Sequence, residues 1–307
     1  MVRTIHARIL STVAFGIFSL LVSVPKAHAD SFTISPPKFE VFGNPGDTIS
    51  DKIKIDNDNA TDVLLQANAN DFVAQGDTGA INLVEDPNAP TTNFSLARWM
   101  TISPSKFTVP AHGEKVISFT IKLPKGAEPG GKYASVLITR AGERVDGGAS
   151  VNSAIGSLIL LRVSGAITEN LSVDTFKTDD TYYQHGPVTF ELRTKNSGNV
   201  HVAPAGTIVI TNMFGKKTAE LPLTDANVLP GAFRAIRTTF ADVPIGRYTA
   251  TVVANYGQSN QKIAASTSFT LIPVWLIAAA IGAVILLFLM LSGRKKFKRL
   301  INRLTSD

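Results

Sequence analysis

A handful of strings in this 307-residue chain carry residue types that could do chemistry. Ser103-Pro104-Ser105-Lys106 has the Ser-x-x-Lys spacing with which a lysine on the same helical face activates a serine hydroxyl for acyl transfer. Pro104 and the alternating Phe107-Thr108-Val109 place it in turn and strand instead, and Ser35-Pro36-Pro37-Lys38 repeats the spacing in the same kind of context. Asp56-Asn57-Asp58-Asn59-Ala60-Thr61-Asp62 clusters oxygens as a calcium loop does. Thr61 stands where such a loop needs glycine, however, and Ala67 where it needs a closing glutamate, so a solvated hairpin turn is expected and cation binding stays open. Once a leader is removed, the histidines are His112, His185 and His201, each beside Gly, Pro or Asn, as surface turn residues would be. With no Gly-x-Ser-x-Gly elbow, no phosphate-cradling glycine loop and no cysteine, the reading is a non-enzyme without catalytic residues, metal site or cofactor.

The elements that would position any site are strands. Apolar and polar residues alternate at period two in Lys52-Ile53-Lys54-Ile55, Phe119-Thr120-Ile121-Lys122 and Val188-Thr189-Phe190-Glu191-Leu192, which marks half-buried strands. Turn chemistry punctuates them at Asn44-Pro45-Gly46-Asp47, Pro129-Gly130-Gly131, Asn196-Ser197-Gly198-Asn199 and Pro230-Gly231. The chain also echoes itself. Pro129-Gly130-Gly131-Lys132-Tyr133 and Pro244-Ile245-Gly246-Arg247-Tyr248 each precede a strand, and each half carries an earlier strand ending in an Asn turn, at Asn57 and Asn196. Ser35-Pro36-Pro37-Lys38-Phe39 and Ser103-Pro104-Ser105-Lys106-Phe107 form a second echo, read as edge strands because proline cannot donate to a ladder. The expectation is all-β: two tandem immunoglobulin-like β-sandwiches, 30–164 and 165–270, followed by a single transmembrane α-helix.

Charge separates the ends from the middle. Of 30 basic and 24 acidic residues, the first 29 positions hold Arg3, Arg8 and Lys26, and the C-terminal positions hold Arg294, Lys295, Lys296, Lys298, Arg299 and Arg303 against Asp307. What remains is 21 bases against 23 acids, which excludes a nucleic-acid partner. Arg3 and Arg8, an apolar run and Ala27-His28-Ala29 have the layout of a signal peptide over 1–29. The uncharged run 273–291 is long enough to span a bilayer, with Trp275 suited to the outer interface and a basic tail over 292–307 suited to the cytoplasmic side. The chain is therefore expected in the cell membrane, single-pass, with its N-terminus outside and its partner lipid bilayer reached through the C-terminal helix. Asp71 to Leu96 is longer than an ordinary sandwich connection, and its Asp77, Asp86, Asn88 and Phe94 offer polar groups and an aromatic as a ligand-binding set.

Ser35-Pro36-Pro37-Lys38-Phe39, Pro45-Gly46-Asp47, the Asn57 turn, Trp99-Met100-Thr101-Ile102-Ser103-Pro104 and Leu123-Pro124 through Ala127-Glu128-Pro129-Gly130-Gly131-Lys132-Tyr133 together resemble the first domain of the WxL-interacting surface proteins of Gram-positive bacteria. The plan of signal peptide, two immunoglobulin-like domains, membrane helix and basic tail is similar too. The resemblance implies a wall-side protein whose first domain binds cell-wall polymer (peptidoglycan) and whose second engages a surface protein. The expected function is a membrane-anchored, extracellular, non-catalytic binding or scaffold protein. The alternatives are a chaperone-like sandwich that binds a partner's strand, or a passive surface spacer.

Overall fold

The computed structural model describes residues 32–84, 86, 90–141 and 154–291, together with the backbone of 292–304. The signal segment over 1–29, Asn88 of the candidate ligand set, and the side chains of Arg294, Lys295, Lys296, Lys298, Arg299 and Arg303 lie outside the described residues.

The chain is mostly strand, arranged as β-sandwiches. In chain order come β1 (Phe32–Ser35), β2 (Lys38–Gly43), β3 (Thr48–Asn57), β4 (Val63–Gln75), β5 (Ala80–Leu83), β6 (Met100–Ser103), β7 (Lys106–Val109), β8 (Glu114–Lys122), β9 (Gly130–Arg140) and β10 (Ile155–Val163). They form two sheets, β1-β3-β8-β6 and β2-β10-β9-β4-β5, with β7 added to β4. Then follow β11 (Leu171–Thr178), β12 (Tyr182–Tyr183), β13 (Val188–Asn196), β14 (Ala205–Asn212), β15 (Lys217–Pro222), β16 (Phe233–Phe240), β17 (Gly246–Tyr256) and β18 (Gln261–Leu271). These make the sheets β11-β13-β16 and β12-β18-β17-β14-β15. No strand pair joins the first group to the second among the described residues.

Alternation decides what is buried. In β13, Val188, Phe190, Leu192, Thr194 and Asn196 face inward, and the residues between them do not. The two sheets of each sandwich close over such faces. Ile53, Ile55, Ile117, Phe119, Val136, Ile159 and Leu161 fill the first core, and Phe190, Leu192, Ile210, Val252 and Phe269 the second. Each fully buried side chain of this size contributes roughly 1.5–3 kcal/mol, which is how the sandwiches hold without a disulfide.

The internal echoes have structural counterparts. The Gly-basic-Tyr strings open β9 and β17, which occupy the same place in their sheets, hydrogen-bonded to the last strand of the sandwich on one side. Asn57 and Asn196 are 1% and 0% exposed and do the same work. The Asn57 amide donates to the carbonyls of Thr61, Val109 and Pro110, and the Asn196 amide to those of Val200 and Val228. In the Ser-Pro echo, the chain leaves β1 in one sheet and enters β2 in the other through the cis Ser35–Pro36 bond. It passes from β6 to β7 through the cis Ser103–Pro104 bond.

The stretch from Asp71 to Leu96 differs from the expected long loop. Its first part extends β4 to Gln75 and returns through β5, with Phe72 paired to Leu83 and Gln75 to Ala80. The hairpin reaches across to the later strands. The Asp77 carboxylate meets Arg193 Nε at 2.9 Å, and the Asp77 carbonyl accepts from Ala235 N at 2.7 Å. Elsewhere in the joint, Gly131 N donates to Asn199 O at 2.8 Å, Arg162 pairs with Glu169 at 2.7 Å, and Asn227 donates to Glu40 at 2.8 Å. Gly130 has φ of 120°, and a Cβ there would lie 2.7 Å from Asn199 O, so glycine permits this backbone contact.

After Leu271 the chain turns through Pro273 into α1 (Val274–Leu304). Its segment Val274–Leu291 has mean hydropathy 2.9, none of it is buried, and by length and composition it can cross a membrane.

Candidate functional site

Two neighbouring hollows flank the chain that follows β5. The first, about 190 Å³, is lined by Asn70, Asp71, Val84, Asp86, Pro90, Phe94 and Arg98 among others. The second, about 280 Å³, is lined by Asn93, Trp99, Pro124, Gly126, Glu128 and Lys132. Thr92, Ser95 and Arg98 border both, so the hollows share one wall.

Local hydrogen bonds fix that wall. Thr92 N donates to Ser95 Oγ at 3.0 Å, and Ser95 N donates to Thr92 O at 3.1 Å, a turn built from short hydroxyl side chains. Asp71, from β4, accepts from Leu96 N at 2.8 Å and Ala97 N at 2.7 Å. A carboxylate that meets two backbone donors holds the returning chain against the sheet. The anchor is Leu96, fully buried, followed by the 3₁₀ turn Ala97–Trp99, which leaves Arg98 exposed and Trp99 half-buried. Tyr133 N completes the frame by donating to Phe94 O at 2.8 Å.

The hollows carry two kinds of polar group. Asn70, which lines the first hollow, donates its amide N–H to Val84 O at 3.3 Å, while its Oδ1 is buried without a hydrogen-bond partner among the described residues. Lys132 is only 4% exposed at the floor of the second. Its ammonium donates to Asn93 O and lies 5.7 Å from the Trp99 ring centroid. Burial holds the Lys132 pKa below the usual lysine range, against the pull of Glu128. Side chains of both charge signs, with Phe94 at one and Trp99 at the other, give the two hollows a mixed polar and aromatic lining.

Of the expected ligand set, Asp86 and Phe94 are brought together at the first hollow. Asp77 is elsewhere, in the joint with Arg193, because β4 and β5 carry the residues between them away as a hairpin arm. Sequence reasoning missed Trp99, Arg98, Glu128 and Lys132 as site residues. The signal available was that Trp99 opens one string of the resemblance and Glu128 and Lys132 lie in another, both at the second hollow, whereas Arg98 lies in neither. In the Asp56–Asp62 turn, Asp56 pairs with Lys54 at 2.9 Å, and Asp62 accepts from Ala111 N at 2.9 Å. Among the described residues no group of three His, Asp or Glu gathers to hold a metal.

His201 corrects a second expectation. It is not a surface turn residue but lies in the joint, where its N–H donates to Tyr133 Oη at 2.8 Å and its ring meets the Tyr133 ring edge-on at 5.6 Å. Burial pushes its pKa down to about 4. Glu40 opposes that shift, and Arg162 and Lys38 add to it. His112 and His185 are exposed, as expected. Tyr133, itself 2% exposed, thus touches Phe94 of the hollow on one side and His201 of the second sandwich on the other.

No family model matches the chain, and no curated protein does. Among solved structures it is similar to the class 5 fimbriae chaperone CfaA, at 16% identity and a TM-score of 0.42 over 78% of this chain and 99% of that one. It is also similar to the Pseudomonas aeruginosa CupB2 chaperone, at 11% identity and 0.35 over 76% and 98%. The E. coli chaperone DraB matches at 11% and 0.37 over 79% and 96%.

Proposed function

We propose that the chain is a membrane-tethered, non-catalytic binding protein whose first sandwich holds cell-wall polymer at the paired hollows around Phe94 and Trp99. The observation that carries this reading is a convergence. Two of the strings that carry the family resemblance are separated in sequence, and Trp99 of one and Pro124, Ala127, Glu128 and Lys132 of the other line the second hollow together. Conformational restraint supports it: Asp71, Thr92 and Ser95 hold the wall before any ligand arrives, which reduces the ordering cost of binding. The apolar helix would confine many copies to one surface, where weak single contacts add up.

A second reading, capture of a partner's strand, is favoured by β6. This strand leaves Trp99, pairs only with β8 among the described residues, and is the edge of its sheet, so an extended peptide could add beside the second hollow. β10 offers no such edge over Leu158–Val163, since β9 and β2 flank it on both sides.

The test is sedimentation of the fragment 30–272 with isolated cell walls, before and after the walls are stripped of protein. Retention on stripped walls, reduced at least tenfold by Arg98→Ala with Trp99→Ala at unchanged circular dichroism, is the expected result. Retention only on unstripped walls would favour strand capture, and steady release of soluble wall fragments would overturn the non-enzyme reading.

A further inference from the structure

The second sandwich ends where the long helix begins. β18 finishes at Leu271 and α1 starts at Val274, so Ile272 and Pro273 are the whole connection. Three residue steps extend at most about 10 Å, and the end of the sandwich that carries Leu271 must lie that close to the first turn of α1. Strand register fixes what else is at that end. Gly246 and Tyr183 both pair with Leu271, Tyr248 pairs with Phe269, and Asn212 pairs with Tyr248. The β14–β15 hairpin tip, the loop before β17 and the chain at Tyr182 therefore lie at the same end of the sheet as the start of the helix.

These places carry the three most exposed large apolar side chains among the described residues: Phe214 at 84%, Tyr182 at 75% and Met213 at 69%. Ile245 at 53% and Ile272 at 40% join them. The hairpin at the opposite end of the same sheet, Gly257-Gln258-Ser259-Asn260, is polar and packs on Glu169. The apolar tip is also held in shape. Asn212 Oδ1 accepts from Phe214 N and Lys216 N, each at 3.0 Å, and Gly215 N donates to Asn212 O at 2.9 Å. A rigid turn that presents Met213 and Phe214 to water, at the one end tied to a membrane-length helix, has an apolar surface that the neighbouring bilayer can cover. Charge adds no preference for acidic lipid, because Lys216, Lys217 and Arg247 stand there against Asp179, Asp180 and Asp242. Trp275, 66% exposed at the head of the helix, is of the residue type enriched at membrane interfaces.

We propose that this end of the second sandwich is a membrane seat: Met213, Phe214, Ile245 and Tyr182 enter the interfacial layer beside α1 and hold the sandwiches in a fixed stance on the bilayer. The proposal rests on α1 spanning the membrane, and its partner is the lipid interface itself. The chain has no cysteine, so one introduced cysteine gives one label. The full chain is reconstituted in phosphatidylcholine nanodiscs with an environment-sensitive fluorophore at Met213→Cys, Ser259→Cys or Ala283→Cys, and lipid-borne nitroxides are added at headgroup or mid-chain depth.

The expected result is loss of fluorescence at 213 with headgroup nitroxide, none at 259, and loss at 283 with the deeper nitroxide. Adding Phe214→Ser to the 213-labelled chain should reduce its quenching several-fold. Quenching at 283 without quenching at 213 overturns the seat and leaves the span. No quenching at 283 overturns the span and the seat with it. A blue-shifted but unquenched label at 213 assigns the surface to protein instead, and quenching indifferent to Phe214→Ser reduces it to proximity; either result refutes insertion.

Discussion

Replacing His201 by glutamine should flatten the acid side of the stability profile. The imidazole lies between the sandwiches against Tyr133 from β9, with Lys38 and Glu40 of β2 and Arg162 of β10 around it, and burial brings its pKa from 6.5 to about 4. Below pH 6.5 the unfolded chain protonates this ring while the folded chain does not, so the unfolded state gains and stability falls with pH. The fall continues to about pH 4, where the folded ring protonates too, and above 6.5 the contribution to the slope vanishes. Each unit of separation is worth about 1.4 kcal/mol, so the interval from pH 6.5 to 4.5 gives a ceiling of about 3 kcal/mol, lowered to about 2 by the solvent that reaches the ring. Glutamine keeps the backbone N–H bonded to Tyr133 and does not titrate. Urea unfolding of the fragment 30–272 at pH 7.5, 6.5, 5.5 and 4.5 measures the effect, and the difference between the two proteins cancels the carboxylates they share. The variant should lose about 2 kcal/mol less than the parent between pH 6.5 and 4.5. Identical pH profiles would refute the burial argument, and divergence above pH 7 would refute its sign.

The joint and the cores give further outcomes. Asn196→Ala strands the carbonyls of Val200 and Val228 and should cost about 2–4 kcal/mol, with Asn57→Ala costing a similar amount in the other sandwich; chemical denaturation monitors both. Gly130→Ala places a Cβ 2.7 Å from Asn199 O at a φ of 120°, so the joint should open locally, and the amides of Gly131 and His201 should exchange hydrogen at least tenfold faster while the cores stay protected. Reductant should leave the circular dichroism and melting of the fragment 30–272 unchanged, since there is no disulfide to break. Protease added to intact cells should remove both sandwiches and leave a small protected remnant; digestion of a tag after Asp307 would reverse the orientation.

The sequence by itself was enough for the local elements. Period-two alternation in Ile53, Ile55, Phe119, Ile121, Phe190 and Leu192 named strands and the faces they bury, because the pleat turns successive side chains to opposite sides whatever the sheet. The apolar run ending at Leu291 named a membrane-length helix, since length and hydropathy alone set that property. The repeated Gly-basic-Tyr strings marked equivalent strands, yet not their different fates: Lys132 is buried beside Trp99, whereas Arg247 is exposed. Which surfaces meet was decided only in the folded chain. Asp77 and Asp86 lie in one stretch of sequence, but the β4–β5 hairpin sends the first to Arg193 and leaves the second at the hollow with Phe94. His201 has the neighbours of a surface turn and becomes half-buried because the second sandwich meets the first there, against Tyr133. A strand's periodicity records the direction of each side chain relative to its own sheet, and carries no information about what the outward face of that sheet or the end of its hairpins will meet.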